Sequence, residues 1–169
     1  MTSILVTGAT GRHGGTGAHV VRRLREEGRD VRVLARSRGD RTEALEAIGA
    51  EVVIGDLQDR RGIVPALEGV AQAYFTYPID AGVIGAAANF AAAVRESGAS
   101  PRTVVMSMGP AHPGHPSGRG RDQWLAEEVP PVGRSRPAGP ARRGGVPRER
   151  PRTARAVRAG GGRDPQLLR

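Results

Sequence analysis

The sequence predicts an α/β fold with a doubly wound parallel sheet of about five strands. Three observations carry this. Short apolar runs alternate with helical patterns from residue 3 to residue 129. The first run, Ile4-Leu5-Val6, enters a glycine-rich turn directly and then a helical pattern through Val20, Val21 and Leu24. Glycines at 28, 49, 69 and 98 close the helical stretches one after another. Right-handed βαβ connections then give the strand order 3-2-1-4-5, with a ligand crevice between strands one and four.

The elements follow in order. Residues 3–7 form a buried strand. The first helix starts at Gly14 or Thr16 and stops after Glu27. Asp30–Ala35 alternates as a second strand. Arg41–Ile48 is a short helix, and Glu51–Ile54 a third strand. Asp59 caps a helix reaching Leu67, and Ala71–Thr76 is strand four. Asp80 caps a long alanine-rich helix through Val83, Ala87, Ala91 and Val94. Arg102–Ser107 is strand five, and Arg121–Val129 starts a further helix.

Composition removes several function classes. The chain of 169 residues has no cysteine, so disulfides and thiolate chemistry are excluded. No stretch approaches the about 18 apolar residues of a membrane span, and the start lacks a signal-peptide layout. A cytoplasmic protein without membrane partners is expected. All 26 basic residues are arginine; the chain has no lysine. This excludes a Walker-type phosphate loop, which needs one.

The charge is unevenly placed. Residues 1–129 hold 15 arginines and 15 acids, while residues 130–169 hold 11 arginines against Glu149 and Asp164. In that last stretch 30 of 40 residues are Arg, Gly, Pro or Ala, and five are Val or Leu. Such a composition offers too little apolar surface to offset the entropy of ordering. The expected organisation is a nucleotide-binding domain over 1–129 and an irregular tail over 130–169. Those four residue types have codons rich in G and C, so an out-of-frame reading of a GC-rich gene would produce such a tail. A basic arm on nucleic-acid phosphates is the less favoured reading, because the tail lacks aromatics that stack on bases.

The glycine loop carries the functional signal. Strand, tight turn and helix in this order suit a dinucleotide pyrophosphate. Gly8 turns the chain sharply, and Gly11 lets the backbone approach the phosphates. A third glycine, Gly14 or Gly17, allows close packing of helix on strand. Thr10, Arg12 and His13 lie in the same loop, with His13 facing phosphate or solvent. Beyond strand two, about 25 residues after Gly11, stands Arg36 where an NAD site carries an acid. An arginine accommodates the 2′-phosphate, so NADP is favoured over NAD, with Ser37, Arg38 and Arg41 adding donors. Thr76, with Phe75, Tyr77 and Pro78, follows strand four at the crevice rim. No metal site is expected: His112 and His115 stand in a proline-rich loop without an acidic partner nearby.

Thr7-Gly8-Ala9-Thr10-Gly11, Arg36, Gly55-Asp56-Leu57 and Val104-Val105-Met106-Ser107 together resemble an atypical short-chain dehydrogenase/reductase of the NmrA-like NAD(P)-binding family, over residues 3–129. The family's T-G-x-x-G-x-x-G is met by residues 7–14, with Gly15-Thr16-Gly17 as an extra segment. The resemblance implies a Rossmann-type fold. It places Asp56 at the adenine amine, Leu57 on the adenine ring, and Ser107 at the position of the short-chain reductases' catalytic serine, within the cofactor-contacting set. It also implies a tyrosine with a lysine four residues on. This chain has no lysine, and its only tyrosines, Tyr74 and Tyr77, precede strand five. Gln123 or a neighbour up to Glu127 stands near the expected lysine. The expected function is therefore NADPH-dependent oxidoreduction of a quinone-type acceptor. The alternative is a non-catalytic NADP sensor acting on a regulatory protein.

Overall fold

The computed structural model describes residues 3–11, 15–78, 81–109 and 111–129. All of these fall in one unit of the chain, Met1–Arg136. The expected tail, 130–169, lies outside the described residues.

Strands β1 (Ser3–Thr7), β2 (Val31–Ala35), β3 (Glu51–Ile54), β4 (Val70–Phe75) and β5 (Arg102–Val105) form one sheet in the order β3-β2-β1-β4-β5. Every pairing is parallel. Helices α1 (Thr16–Glu26), α2 (Asp40–Ala47), α3 (Arg60–Ile63), α4 (Val83–Ser97) and α5 (Gly118–Glu128) make the connections and the closing segment. The fold class and strand order are those the sequence predicts.

Period-two alternation sends the strand side chains to two cores. Ile4 and Val6 of β1 join Val31, Val33 and Ala35 of β2 beneath Val21 of α1 and Leu45 of α2. Leu5 and Leu34 point the other way, toward Ile63, Leu67, Phe90 and Val94. Leu5, Val6, Val21 and Val33 are all fully buried. Arg32, also on β2, has its guanidinium fixed by Glu51 at 2.8 Å and by the carbonyls of Ala66 and Glu68 at 3.1 and 2.6 Å. That ties the sheet edge to the turn ahead of β4 and satisfies carbonyls that a helix end leaves open.

Several boundaries differ from the sequence expectation; the last helix, for example, begins at Gly118 and not at Arg121. The third helix changes at Val64 into a 3-10 turn, Val64–Leu67, because Pro65 has no N–H for the next α-helical bond. The alanine-rich helix begins at Val83, with Gly82 in the capping position; Asp80, the expected cap, lies outside the described residues. Strand β5 ends at Val105, so Ser107 stands beyond it. Met106 still donates to the Phe75 carbonyl at 2.8 Å. Its own carbonyl, however, accepts from Gln123 Nε2 at 3.2 Å, and the ladder stops there.

Candidate functional site: a dinucleotide cleft at the strand ends

The carboxyl ends of β1, β2, β3 and β4 surround a cleft of about 720 Å³. Its size falls in the range of small-molecule and cofactor sites. It lies where the strand order reverses, between β1 and β4, the place at which open α/β sheets bind ligands.

Among the predicted residues, Gly8, Thr10, Gly11, Arg36, Asp56, Leu57 and Thr76 all line this cleft. Ser107 does not. It is exposed, and its hydroxyl donates to the Met108 carbonyl at 3.3 Å. Arg12, His13 and Gly14 lie outside the described residues.

The floor is built by the threonines at the ends of β1 and β4. Thr7 is fully buried. Its hydroxyl donates to the Thr76 carbonyl and accepts from the Thr76 N–H, both at 2.9 Å. Gly8 then leaves the sheet at φ +68°, and a Cβ there would sit 2.6 Å from Thr76 Cγ2. Both the backbone conformation and the space therefore require glycine. Gly11 donates to the Gly8 carbonyl at 3.2 Å and closes the turn.

Gly17 packs α1 against the glycine loop. It is buried in the first turn of α1, and a Cβ on it would stand 2.8 Å from Ala9 Cα and 2.9 Å from Ala9 N. These are backbone atoms, so the helix would have to move. Sequence spacing alone left Gly14 and Gly17 equivalent; the approach of α1 to Ala9 gives Gly17 a packing role, and Gly14 lies outside the described residues.

The β2 side of the cleft carries the positive charge. Arg36 is exposed at its wall and has no hydrogen-bond or ion-pair partner among the described residues. The neighbouring arginines differ. Arg38 pairs with Glu46 at 2.7 Å. Arg41 donates to the Thr10 carbonyl at 2.9 Å and so braces the glycine loop from α2. Thr42 shapes the turn between them: its buried hydroxyl accepts from Gly39 N at 2.9 Å and donates to the Gly39 carbonyl at 2.7 Å.

On the β3 side, Asp56 accepts from Gln58 N at 2.9 Å, which folds the loop and leaves Asp56 partly exposed at the cleft. Leu57 is buried against the α4-side core and still reaches the cleft wall. Helix capping falls to Asp59, which accepts from Arg61 N at 3.0 Å. On the β4 side, Thr76, Tyr77 and Pro78 line the cleft. Phe75 is core, its ring 5.2 Å from that of Phe90. Tyr74 points to the other face, and burial pushes its phenol above the ordinary tyrosine range. Gln58 is a cleft residue the sequence reading missed. Its only sequence signal was adjacency to Asp56-Leu57.

These residues fit a dinucleotide. Glycine occupies both places where a Cβ would block the turn or the helix, an unpaired guanidinium stands past β2, and an apolar wall stands past β3. Among the described residues no group of three His, Asp or Glu is placed to hold a metal ion, and no helix is long and apolar enough to cross a membrane.

The comparisons with known proteins agree with this geometry. The sequence model of the NmrA-like family matches residues 1–118. Sterol demethylase protein B of Methylococcus capsulatus is 47% identical over 72 residues, covering 43% of this chain and 21% of that protein. Among solved structures, the NADPH-dependent quinone oxidoreductase QOR2 of Escherichia coli, complexed with NADPH, superposes with a TM-score of 0.61 at 22% identity, over 75% of this chain and 44% of that one. A short-chain dehydrogenase/reductase superfamily protein from Agrobacterium tumefaciens with bound NAD gives 0.56 at 27% identity, over 75% and 43%. The chain thus spans about a fifth of the curated relative's length and under half of these two structures. With the family's sequence model matched over most of the chain, the chain belongs to the NmrA-like family.

Proposed function

We propose that residues 1–129 bind NADP(H) and present it to a small acceptor of the quinone class. The observation that carries this is Arg36, an arginine without a partner among the described residues, on the wall of a cleft that Gly8 and Gly11 also line. Gly8 and Gly11 leave backbone room for the pyrophosphate at the start of α1, where helix N–H groups face the phosphates. Arg36 meets the 2′-phosphate, and Arg41 holds the loop from below. Leu57 covers the adenine and Asp56 accepts from its amine. The bound cofactor supplies a hydride, and the protein supplies binding and orientation. Family membership and the NADPH-bound quinone oxidoreductase neighbour support the reading; the NAD-bound neighbour supports the dinucleotide without the 2′-phosphate. The same reading places the protein in the cytoplasm.

A second reading rests on one observation. The chain has no lysine, so the tyrosine–lysine pair of ordinary short-chain reductases is missing. A protein that binds NADP without turnover and signals its redox state to a regulatory partner would have no use for that pair.

Fluorescence titration of the full chain with NADPH and NADH tests both. NADPH is expected to bind at least about tenfold tighter, a difference of about 1.4 kcal/mol, and Arg36→Ala is expected to remove that preference. Equal affinities in the unaltered protein would overturn the role of Arg36. Consumption of NADPH with a panel of quinones would overturn the sensor, and tight binding without consumption would overturn the enzyme.

A further inference from the structure

Two side chains tie the loop after β3 to helix α4. Asn89, on α4, donates from Nδ2 to the Leu57 carbonyl at 3.0 Å. Gln58 donates from Nε2 to the Gly82 carbonyl at 2.9 Å, at the capping position of the same helix, and to the Tyr77 hydroxyl at 2.9 Å. A carbonyl oxygen only accepts, so these bonds orient both amides. Gly85 follows Gly82 by three residues and Asn89 follows Gly85 by four, so all three share one helix face. The two glycines leave room for the Gln58 side chain. A Cβ on Gly82 would stand 2.9 Å from its Nε2, and one on Gly85 would stand 3.1 Å from its Oε1.

The helix is a fixed reference, because Ala86, Ala87, Phe90, Ala93 and Val94 bury its other side in the core. The loop's own bonds are local. Gln58 N and Asp59 N both return to Asp56, to Oδ1 and to the carbonyl, each at 2.9 Å. They give the turn its shape; attachment to α4 comes from the two amides. Gln58 has a part in both, since its backbone N–H holds the Asp56 carboxylate while its side chain holds the helix cap. Asn89 is not among the residues lining the cleft, so it acts there through Leu57.

We propose that Asn89 and Gln58 are positioning residues for base recognition at the adenine end of the cleft. This rests on the reading above, in which Leu57 covers the adenine and Asp56 accepts from its amine. An amino group donates where the oxo group of hypoxanthine accepts, so a carboxylate fixed at that point separates the two bases. A carboxylate on a loop that can shift admits a bridging water to either base and separates them poorly. Discrimination therefore depends on the two ties to α4 as well as on Asp56.

Fluorescence titration of the full chain with NADPH and with reduced nicotinamide hypoxanthine dinucleotide phosphate, which differ at the base alone, tests this. The unaltered protein is expected to bind NADPH at least about tenfold tighter, for one hydrogen bond to a charged group. Asp56→Ala is expected to remove that preference. Asn89→Leu, near-isosteric and without the amide, is expected to reduce it to within about threefold. Gly85→Leu, whose side chain takes the space of the Gln58 amide, is expected to do the same. In both α4 variants the ratio of NADPH to NADH affinity, set at Arg36, is expected to stay within about twofold of the unaltered protein; a general loss of structure would lower both ratios. A base preference kept in either α4 variant, or a joint fall of the two ratios, would overturn the proposal. If the unaltered protein does not prefer adenine, or Asp56→Ala keeps the preference, the adenine reading falls and the proposal with it. If Asp56→Ala abolishes the preference while either α4 variant keeps it, the proposal alone falls. If Asn89→Leu does not fold, Gly85→Leu decides.

Discussion

Strands β1 and β5 belong to the same sheet and are treated differently by the rest of the molecule. In β1 four of five residues are buried; in β5 none is. β1 lies in the middle of the sheet with a core on each face. β5 is an edge strand among the described residues, and only its α4 side is covered, through Val105. On the other side Val104 is 59% exposed and Met106 37%. β1 and β2, which with the ends of β3 and β4 surround the cleft, are covered on both faces by the chain's own helices. Among the described residues, the β5 edge has one face without cover. The two solved structures compared are each more than twice as long as the part that superposes.

The contrast can be broken most strongly at its buried end. Leu5→Ala opens a cavity under fully packed neighbours and is expected to cost about 2–5 kcal/mol. Val104→Ser, the same kind of change on the bare face, is expected to stay within about 0.5 kcal/mol. Urea midpoints of the two variants measure this, and equal losses would mean that something covers β5 in solution. Next in size is Gly17→Ala. Its methyl group would meet the Ala9 backbone at 2.8 Å, and overpacking of this kind costs about 1–3 kcal/mol. Because α1 must move, NADPH affinity is expected to fall with stability, whereas Gly14→Ala is expected to affect both less. The reverse ranking would return the packing role to Gly14.

The smallest effect lies at Tyr74, beside the boundary between the two halves. Burial raises its folded-state pKa. The unfolded chain titrates near the ordinary value of about 10. Below that pH both states keep the proton and stability is complete. Above it the unfolded state ionises first, so stability falls as pH rises. Denaturant midpoints at alkaline pH are expected to fall less in Tyr74→Phe than in the unaltered protein.

The strands were legible because each is a short apolar run with a glycine stop, and their order followed from one rule about parallel connections. Helix lengths were less so: Pro65 turned half of one helix into a 3-10 turn. At the site, Gly8, Gly11 and Arg36 could be placed from spacing, since each follows a strand end, and Asp56 came from the family resemblance. Gly17 could not, because its role depends on the distance between a helix and a loop. Ser107 was carried over from the family's strand five, but the strand ends at Val105 and Ser107 is not among the residues lining the cleft. Gln58 and Tyr77 meet only because two loops converge, 19 residues apart in the chain.

The Thr7 hydroxyl has a wider consequence. Between β1 and β4 the paired register ends at Val6 and Tyr74. At the next level a single side-chain oxygen answers both the N–H and the carbonyl of Thr76. A peptide rung has a fixed length that no substitution alters; a side-chain rung has a length written in the sequence. The seam between the two halves of the sheet is therefore adjustable at this one position. The spacing of the strands under the cofactor is open to selection through a single codon, while the ladder below it stays as it is.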